Sequence, residues 1–106
     1  MAATALHVSG YGPQRVFFLH GWLTDRHVFD PLIPYFPESE YTLAFMDYRG
    51  YGRSRALAGD YSIAEIAGDM LAALDRLGWE TTHVVGHSMG GMVFQQAALT
   101  APRRFR

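Results

Sequence analysis

A serine between two glycines, Gly-His-Ser-Met-Gly at residues 86–90, constrains the fold of this chain more than any other feature. The apolar run at residues 83–85 precedes it and an apolar segment follows, which predicts a buried strand, a sharp turn and a helix. At such a turn the serine backbone is strained, and small neighbours two residues away let strand and helix pack closely. Ser88, between Gly86 and Gly90, is therefore the candidate nucleophile, with its hydroxyl exposed at a helix N-terminus.

The segment after Ser88, residues 89–106, contains no Asp, Glu or His. A serine hydroxyl is a poor nucleophile unless an adjacent base removes its proton. In the fold that uses this kind of turn, the acid and the histidine of the catalytic triad follow the serine in the chain. The sequence thus predicts a nucleophile without its activating partners, and we expect the chain to be truncated.

Composition excludes several classes of function. The formal net charge is −1, with acidic and basic residues interspersed, so no nucleic-acid partner is expected. The chain has no Lys and no Cys, which rules out Schiff-base chemistry, disulfides and thiolate metal sites. His7, His27 and His83 show no metal-ligand spacing. We expect no metal and no cofactor.

The hydropathy pattern predicts neither a secretory signal nor a membrane span. The N-terminal residues lack a basic region followed by a long apolar core, and no apolar run is long enough to cross a bilayer. A cytoplasmic protein without a membrane partner is the expectation.

Apolar runs and breakers predict alternating strands and helices. Strands are predicted at residues 4–9, 15–19 and 41–46, and in a run ending at Gly86. The alternation with short connections predicts a parallel sheet. In the β-strand at 15–19, continuous apolar character predicts burial on both faces.

Helices are predicted in three places. Thr24 or Asp25 caps a helix that runs through about Phe36, short or irregular because of its two prolines. The capping box at residues 62–65 opens a second helix that ends at Gly78. The third helix runs from Met89 to about Leu99, and Pro102 is expected to end it.

Three motifs in a fixed order together resemble the N-terminal half of an α/β-hydrolase. They are Phe-Leu-His-Gly-Trp at residues 18–22, Asp-Tyr-Arg-Gly-Tyr-Gly-Arg-Ser at 47–54 and Gly-His-Ser-Met-Gly-Gly at 86–91. The likeness is greatest to the esterase, lactonase and cofactor-free haloperoxidase group. It implies that residues 1–106 form one partial α/β domain, a mostly parallel sheet with flanking helices that stops after the helix following the serine.

The same resemblance implies site roles and a reaction. Ser88 is similar to the family's nucleophile, and the backbone N–H of Met89 to one oxyanion-hole donor. The second donor is expected in the loop near residues 20–24, at the backbone N–H of Trp22. The implied reaction is hydrolysis of a small-molecule carboxylic ester or lactone through an acyl-enzyme. A serine at position 88 argues against family members with an aspartate nucleophile.

Other polar residues near these motifs receive structural roles. His20 is expected to brace the loop by hydrogen bonds, and His87 to point away from the nucleophile. Asp47 is expected to fix the following loop through backbone N–H groups rather than to act as a catalytic acid.

Several alternatives remain open at this stage. A cofactor-free haloperoxidase or perhydrolase resembles the esterases in these motifs, and a hydrolase of C–C bonds is a further alternative. From another class comes a non-catalytic product: a truncated remnant, or a half-domain that needs a complementing chain. The strand before Ser88 is expected at a sheet edge, which favours self-association or complementation there.

Overall fold

Four strands form one sheet in the computed structural model, which describes residues 3–106. They are β1 (Leu6–Gly10), β2 (Gln14–Leu19), β3 (Tyr41–Met46) and β4 (His83–Gly86), in the spatial order β1-β3-β2-β4. Strands β3 and β4 run parallel to β2, whereas β1 runs antiparallel to β3. The predicted mostly parallel sheet is confirmed, except that the first strand opposes the others.

The sheet carries a core on each face because side chains alternate along β2 and β3. Phe17 and Leu19 pack against the helices α1 (Ile63–Leu77) and α2 (Met89–Thr100). Val16 and Phe18 belong to the opposite cluster. All four side chains are buried, which confirms the prediction that this strand is covered on both faces.

The second core is closed by a 3₁₀ helix, Arg26–Tyr35, which contributes the buried Phe29. The helix contains two prolines, which cannot donate the backbone hydrogen bonds of an α-helix. Of the two candidate caps, Asp25 is the one used, since its carboxylate accepts a hydrogen bond from the His27 N–H at 2.9 Å. The prediction of a short or irregular helix is confirmed.

The start of α1 uses half of the predicted capping box. The Ser62 hydroxyl accepts a hydrogen bond from the Glu65 N–H at 3.1 Å, as expected. The Glu65 carboxylate, however, accepts from the Tyr61 N–H at 3.0 Å, because the Asp60 carboxylate already takes the Ser62 N–H. Gly78 ends the helix in the left-handed conformation, at φ 72°.

Strand β4 lies at the edge of the described sheet, as predicted, and is half-buried rather than buried. The difference arises because only β2 flanks it along its length. Just before β4, the Thr82 N–H donates to the Arg104 carbonyl at 2.9 Å, and the Arg106 N–H donates to the Thr82 carbonyl at 3.1 Å. Phe105 thereby forms a parallel bridge with Thr82 on the outer side of β4.

The longest helix, α1, has 15 residues. Over residues 3–106, no helix has the length and apolar character needed to cross a membrane.

Candidate active site

Ser88 occupies a strained turn between β4 and α2. Its backbone lies at φ 56° and ψ −113°, and it stands at the N-cap of α2 without a side-chain capping bond. A positive φ in a non-glycine residue is unfavourable and persists only where the surroundings enforce it. The side chain is exposed, so the turn presents the hydroxyl to solvent at the positive end of a helix.

The two glycines of the turn enforce this geometry by close approach. A Cβ at Gly86 would lie 2.9 Å from the carbonyl carbon and oxygen of Gly90. A Cβ at Gly90 would collide with the carbonyl oxygen of Leu19. Strand β2, the turn and α2 therefore meet at distances that no other residue type permits at these positions.

The loop after β2 lies directly against the turn. A Cβ at Gly21 would lie 3.4 Å from Ser88 Cβ and 3.3 Å from the His87 carbonyl oxygen. Trp22 is the next residue of this loop, and Met89 is the first residue of α2. Within residues 3–106, no acceptor takes the backbone N–H of Trp22 or Met89. One backbone donor thus follows Ser88 directly, and the other follows Gly21, which packs against Ser88. Their assignment as an oxyanion hole stays a prediction.

His20 is fully buried and supports the loop after β2 by hydrogen bonds. Its Nδ1 lies 2.8 Å from the Gly21 carbonyl oxygen, and its Nε2 accepts from the Tyr48 N–H at 3.4 Å. These partners assign the proton of the neutral ring to Nδ1. The ring stacks on Tyr48 at a centroid distance of 3.9 Å, and burial lowers the pKa of His20. With both nitrogens engaged, His20 holds the loop in place, as expected, and has no free position for a base.

His87 is exposed and lies beside Gly21. Its backbone N–H donates to the Leu19 carbonyl at 3.0 Å. No hydrogen bond joins the Ser88 hydroxyl to a histidine or a carboxylate in the described part of the chain. The Ser88 hydroxyl therefore lacks a hydrogen-bonded base among these residues.

Asp47, at the end of β3, ties two loops together. One carboxylate oxygen accepts the Arg26 N–H at 2.9 Å and the other accepts the Arg53 N–H at 3.0 Å. Its own carbonyl accepts the Ser54 hydroxyl at 2.8 Å, and the residue is 1% exposed. The predicted loop-fixing role is confirmed, and it extends to the segment that begins at Arg26.

Arg49 anchors the loop at residues 47–54, the glycine-rich loop, to α1. Sequence reasoning missed this role. Its guanidinium donates twice to the Asp69 carboxylate, at 2.8 Å each, and once to the Ala58 carbonyl at 2.7 Å. Pairing with Asp69 raises the pKa of Arg49. The one signal in the sequence was an Arg inside the motif at residues 47–54. Nothing in that motif indicates that its partner is Asp69 on α1.

No group of three or more candidate metal ligands comes together within residues 3–106.

Comparison with known proteins identifies the family. The family model for the α/β hydrolase fold matches residues 14–106. The chain belongs to the α/β hydrolase family. The resemblance read from the three motifs is thus confirmed.

Individual relatives of this α/β hydrolase have different activities. It is 37% identical over 107 residues to a pimeloyl-[acyl-carrier protein] methyl ester esterase of Edwardsiella ictaluri, covering 98% of this chain and 38% of the relative. It is 35% identical over 100 residues to a fluoroacetate dehalogenase of a Burkholderia species, covering 90% of this chain and 32% of the relative. A solved structure of an N-acyl homoserine lactone degrading enzyme superposes with a TM-score of 0.83 at 33% identity. The superposition covers 96% of this chain and 39% of that enzyme.

The chain therefore spans well under half the length of these relatives. Their names include an ester hydrolase and a lactone-degrading enzyme, which supports a hydrolase at the level of the family.

Proposed function

We propose that this chain carries the nucleophile and the oxyanion hole of a serine hydrolase that cleaves carboxylic ester or lactone bonds. The observation that carries the proposal is the strained, exposed Ser88 at φ 56°, held against a loop with an available backbone donor. The esterase and the lactone-degrading enzyme among the relatives favour the same bond class.

In the proposed reaction, Ser88 Oγ attacks the carbonyl carbon while its proton passes to a base. The backbone N–H groups of Met89 and Trp22 hold the oxyanion, each contributing about 3 kcal/mol if aimed correctly. Collapse breaks the ester C–O bond, and the leaving alcohol takes the proton. Water then attacks the acyl-enzyme and releases the carboxylic acid and the free serine.

The reaction needs an acid and a base, which we place on polypeptide outside residues 1–106. Residues 89–106 contain no Asp, Glu or His, and both nitrogens of His20 are engaged. Catalysis by an oxyanion hole alone is weak compared with a complete triad. A non-catalytic half-domain is therefore the outcome to be distinguished.

The outer edge of β4 is the proposed place where such polypeptide joins the sheet. Phe105 already pairs there in parallel with Thr82, whereas the outer side of β4 itself has no strand partner within residues 3–106. A further parallel strand, from the same chain or from a complementing one, would cover the edge. An unpaired edge also favours self-association.

Hydrolysis of 4-nitrophenyl esters by the protein as produced in its native cells tests the proposal. The expected result is turnover that falls at least about a thousandfold in Ser88→Ala. Ser39→Ala is the matched control, since Ser39 is an exposed serine in a turn outside the three motifs, and it is expected to keep full activity. Equal activity in Ser88→Ala, or no turnover at all, would support the non-catalytic alternative.

A further inference from the structure

A cavity of about 620 Å³ opens beside the loop that follows β2. Its walls include Trp22 and Leu23 from that loop, Tyr51 and Arg55 from the glycine-rich loop, and Tyr61 before α1. Trp22 is 68% exposed and Leu23 is 78% exposed, so the cavity presents apolar and aromatic surface to solvent. Clefts with such walls and a few polar groups are typical ligand sites.

Backbone strain marks the same cavity. Within residues 3–106, the non-glycine residues with positive φ are Leu23 at 59°, Tyr61 at 58° and Ser88 at 56°. Ser88 is the proposed nucleophile, and the other two both line this cavity. Strained residues cluster at functional sites, and here the strain lies at the nucleophile and on two walls of one neighbouring cleft.

The cavity begins one residue after Gly21, which packs against Ser88. Gly21 packs against Ser88, with a Cβ at Gly21 placed 3.4 Å from Ser88 Cβ. Trp22 and Leu23 are the next two residues, and successive Cα atoms are about 3.8 Å apart. Trp22 also carries the backbone N–H proposed as an oxyanion donor, so a substrate whose carbonyl oxygen is held there lies at the margin of the cleft.

Two of the aromatic walls are held by packing. The Tyr61 ring lies over Gly50, where a Cβ would come 2.8 Å from Tyr61 Cε1. The Tyr51 ring contacts the buried His20 ring at a centroid distance of 5.4 Å. The cleft is thus formed by positioned side chains and shares the His20 brace with the loop near Ser88.

Arg55 is the single charged residue among the residues that line the cavity. Its guanidinium has no acceptor within residues 3–106, in contrast to Arg49 and Arg104, which pair with Asp69 and Asp75. Arg55 also borders a second cleft that contains Asp25 and Asp47, but no carboxylate within residues 3–106 forms an ion pair with Arg55. The Asp25 and Asp47 carboxylates accept backbone N–H groups instead. The positive charge of Arg55 therefore remains available to a ligand.

We propose that this cleft binds the part of the substrate that is apolar along its length and ends in a carboxylate, with the terminal carboxylate on Arg55. The inference rests on the proposed function for the position of the ester or lactone bond at Ser88. It adds the substrate class: esters or lactones with an apolar arm that carries an anionic end.

A binding measurement tests the cleft independently of catalysis. The probes are 4-phenylbutyrate and the neutral, equally sized 4-phenylbutan-1-ol, titrated at low ionic strength against the protein as produced in its native cells. The readout is tryptophan fluorescence, because Trp22 lines the cleft whereas Trp79 is buried elsewhere. We expect the carboxylate to bind about fivefold more tightly than the alcohol, the range of an exposed charge pair.

Two arginine variants provide the contrast. Arg55→Gln is expected to remove the preference for the carboxylate and to leave binding of the alcohol unchanged. Arg53→Gln makes the same charge change two residues away, on a residue that does not line this cavity, and is expected to keep the preference. Trp22→Phe is expected to remove the fluorescence response.

The remaining outcomes overturn the inference. No binding of either probe, equal affinity for both, or an equal effect of Arg53→Gln and Arg55→Gln would each contradict it. Binding with the expected preference in a protein that shows no Ser88-dependent hydrolysis would retain the cleft and reject the proposed function, so the two failures are distinguishable.

Discussion

The turn at Ser88 and the loop that follows Asp47 lie near the same end of the sheet but are held by different means. The turn depends on missing side chains: Gly86 and Gly90 let backbone approach backbone, and Ser88 makes no capping bond. The loop depends on side chains that are present, because Asp47 and Ser54 tie it by hydrogen bonds. We therefore expect added side-chain volume to destabilise the turn, and the loss of a hydrogen-bond acceptor to destabilise the loop.

The largest expected effect comes from adding one methyl group to the turn. Gly90→Ala places its Cβ into the Leu19 carbonyl oxygen. Because Leu19 belongs to β2, this backbone oxygen moves aside only if the strand shifts. We expect a loss of about 3 kcal/mol or more in the free energy of unfolding, at the upper end of the range for overpacking. Urea denaturation followed by circular dichroism measures it.

Gly91→Ala is the matched control one residue further along α2. A Cβ there meets no atom within 4 Å, and alanine favours a helix interior by up to about 1 kcal/mol over glycine. We expect unchanged or increased stability. Similar losses in both variants would mean that helix content, rather than close approach, limits the turn.

A smaller effect is expected from removing one acceptor in the loop. Asp47→Asn keeps the volume but replaces one carboxylate oxygen by an amide, which leaves the N–H of Arg26 or Arg53 without its partner. A buried unsatisfied donor costs about 1–3 kcal/mol, and we expect a loss of about 2 kcal/mol in the same denaturation experiment.

The exposed Asp30 provides the control for this change. Within residues 3–106, the hydrogen-bond partner of its carboxylate is the exposed His27 ring. Asp30→Asn is therefore expected to alter the free energy of unfolding by less than about 0.5 kcal/mol. If Asp47→Asn were equally mild, the loop would not depend on the Asp47 carboxylate.

The smallest expected effect is a pH dependence from His20. Burial lowers the pKa of His20 below its ordinary value of 6.5, so the unfolded chain binds more protons just below that pH. The contribution of neutral His20 to the free energy of unfolding is fully present above about pH 6.5. It falls as the pH drops towards the lowered pKa, by at most about 1.4 kcal/mol per pH unit. Denaturation between about pH 5 and pH 8 measures the slope.

In His20→Gln the slope is expected to be shallower, whatever the overall stability of the variant. A residual slope of the same sign is expected from His7, whose pKa is also lowered by burial. An unchanged slope in His20→Gln would contradict a buried neutral His20.

The contrast between turn and loop also explains what could be predicted from the sequence. The turn is a local steric requirement, so the spacing of Gly86, Ser88 and Gly90 was sufficient to predict it. The loop uses partners far along the chain, such as Asp69, 20 residues from Arg49. Spacing alone contains no information about such pairs.

Local errors have similar physical origins. The prediction of a capping box at residues 62–65 was half correct because Asp60, two positions before Ser62, accepts the Ser62 N–H in place of Glu65. The prediction of a parallel sheet rested on strands that alternate with helices. It was wrong for β1, which is antiparallel, because no helix separates β1 from β2. The cleft beside Trp22 joins three separate segments, and no single motif predicts it.

Covalent labelling of Ser88 is the most direct test of the account. The protein as produced in its native cells is treated with a fluorophosphonate, and its intact mass and peptides are measured by mass spectrometry. The account predicts one adduct, on the peptide that contains Ser88, formed by loss of fluoride and absent from both Ser88→Ala and the unfolded protein. An adduct on another serine, or none on the folded protein, would contradict the assignment of Ser88 as the nucleophile.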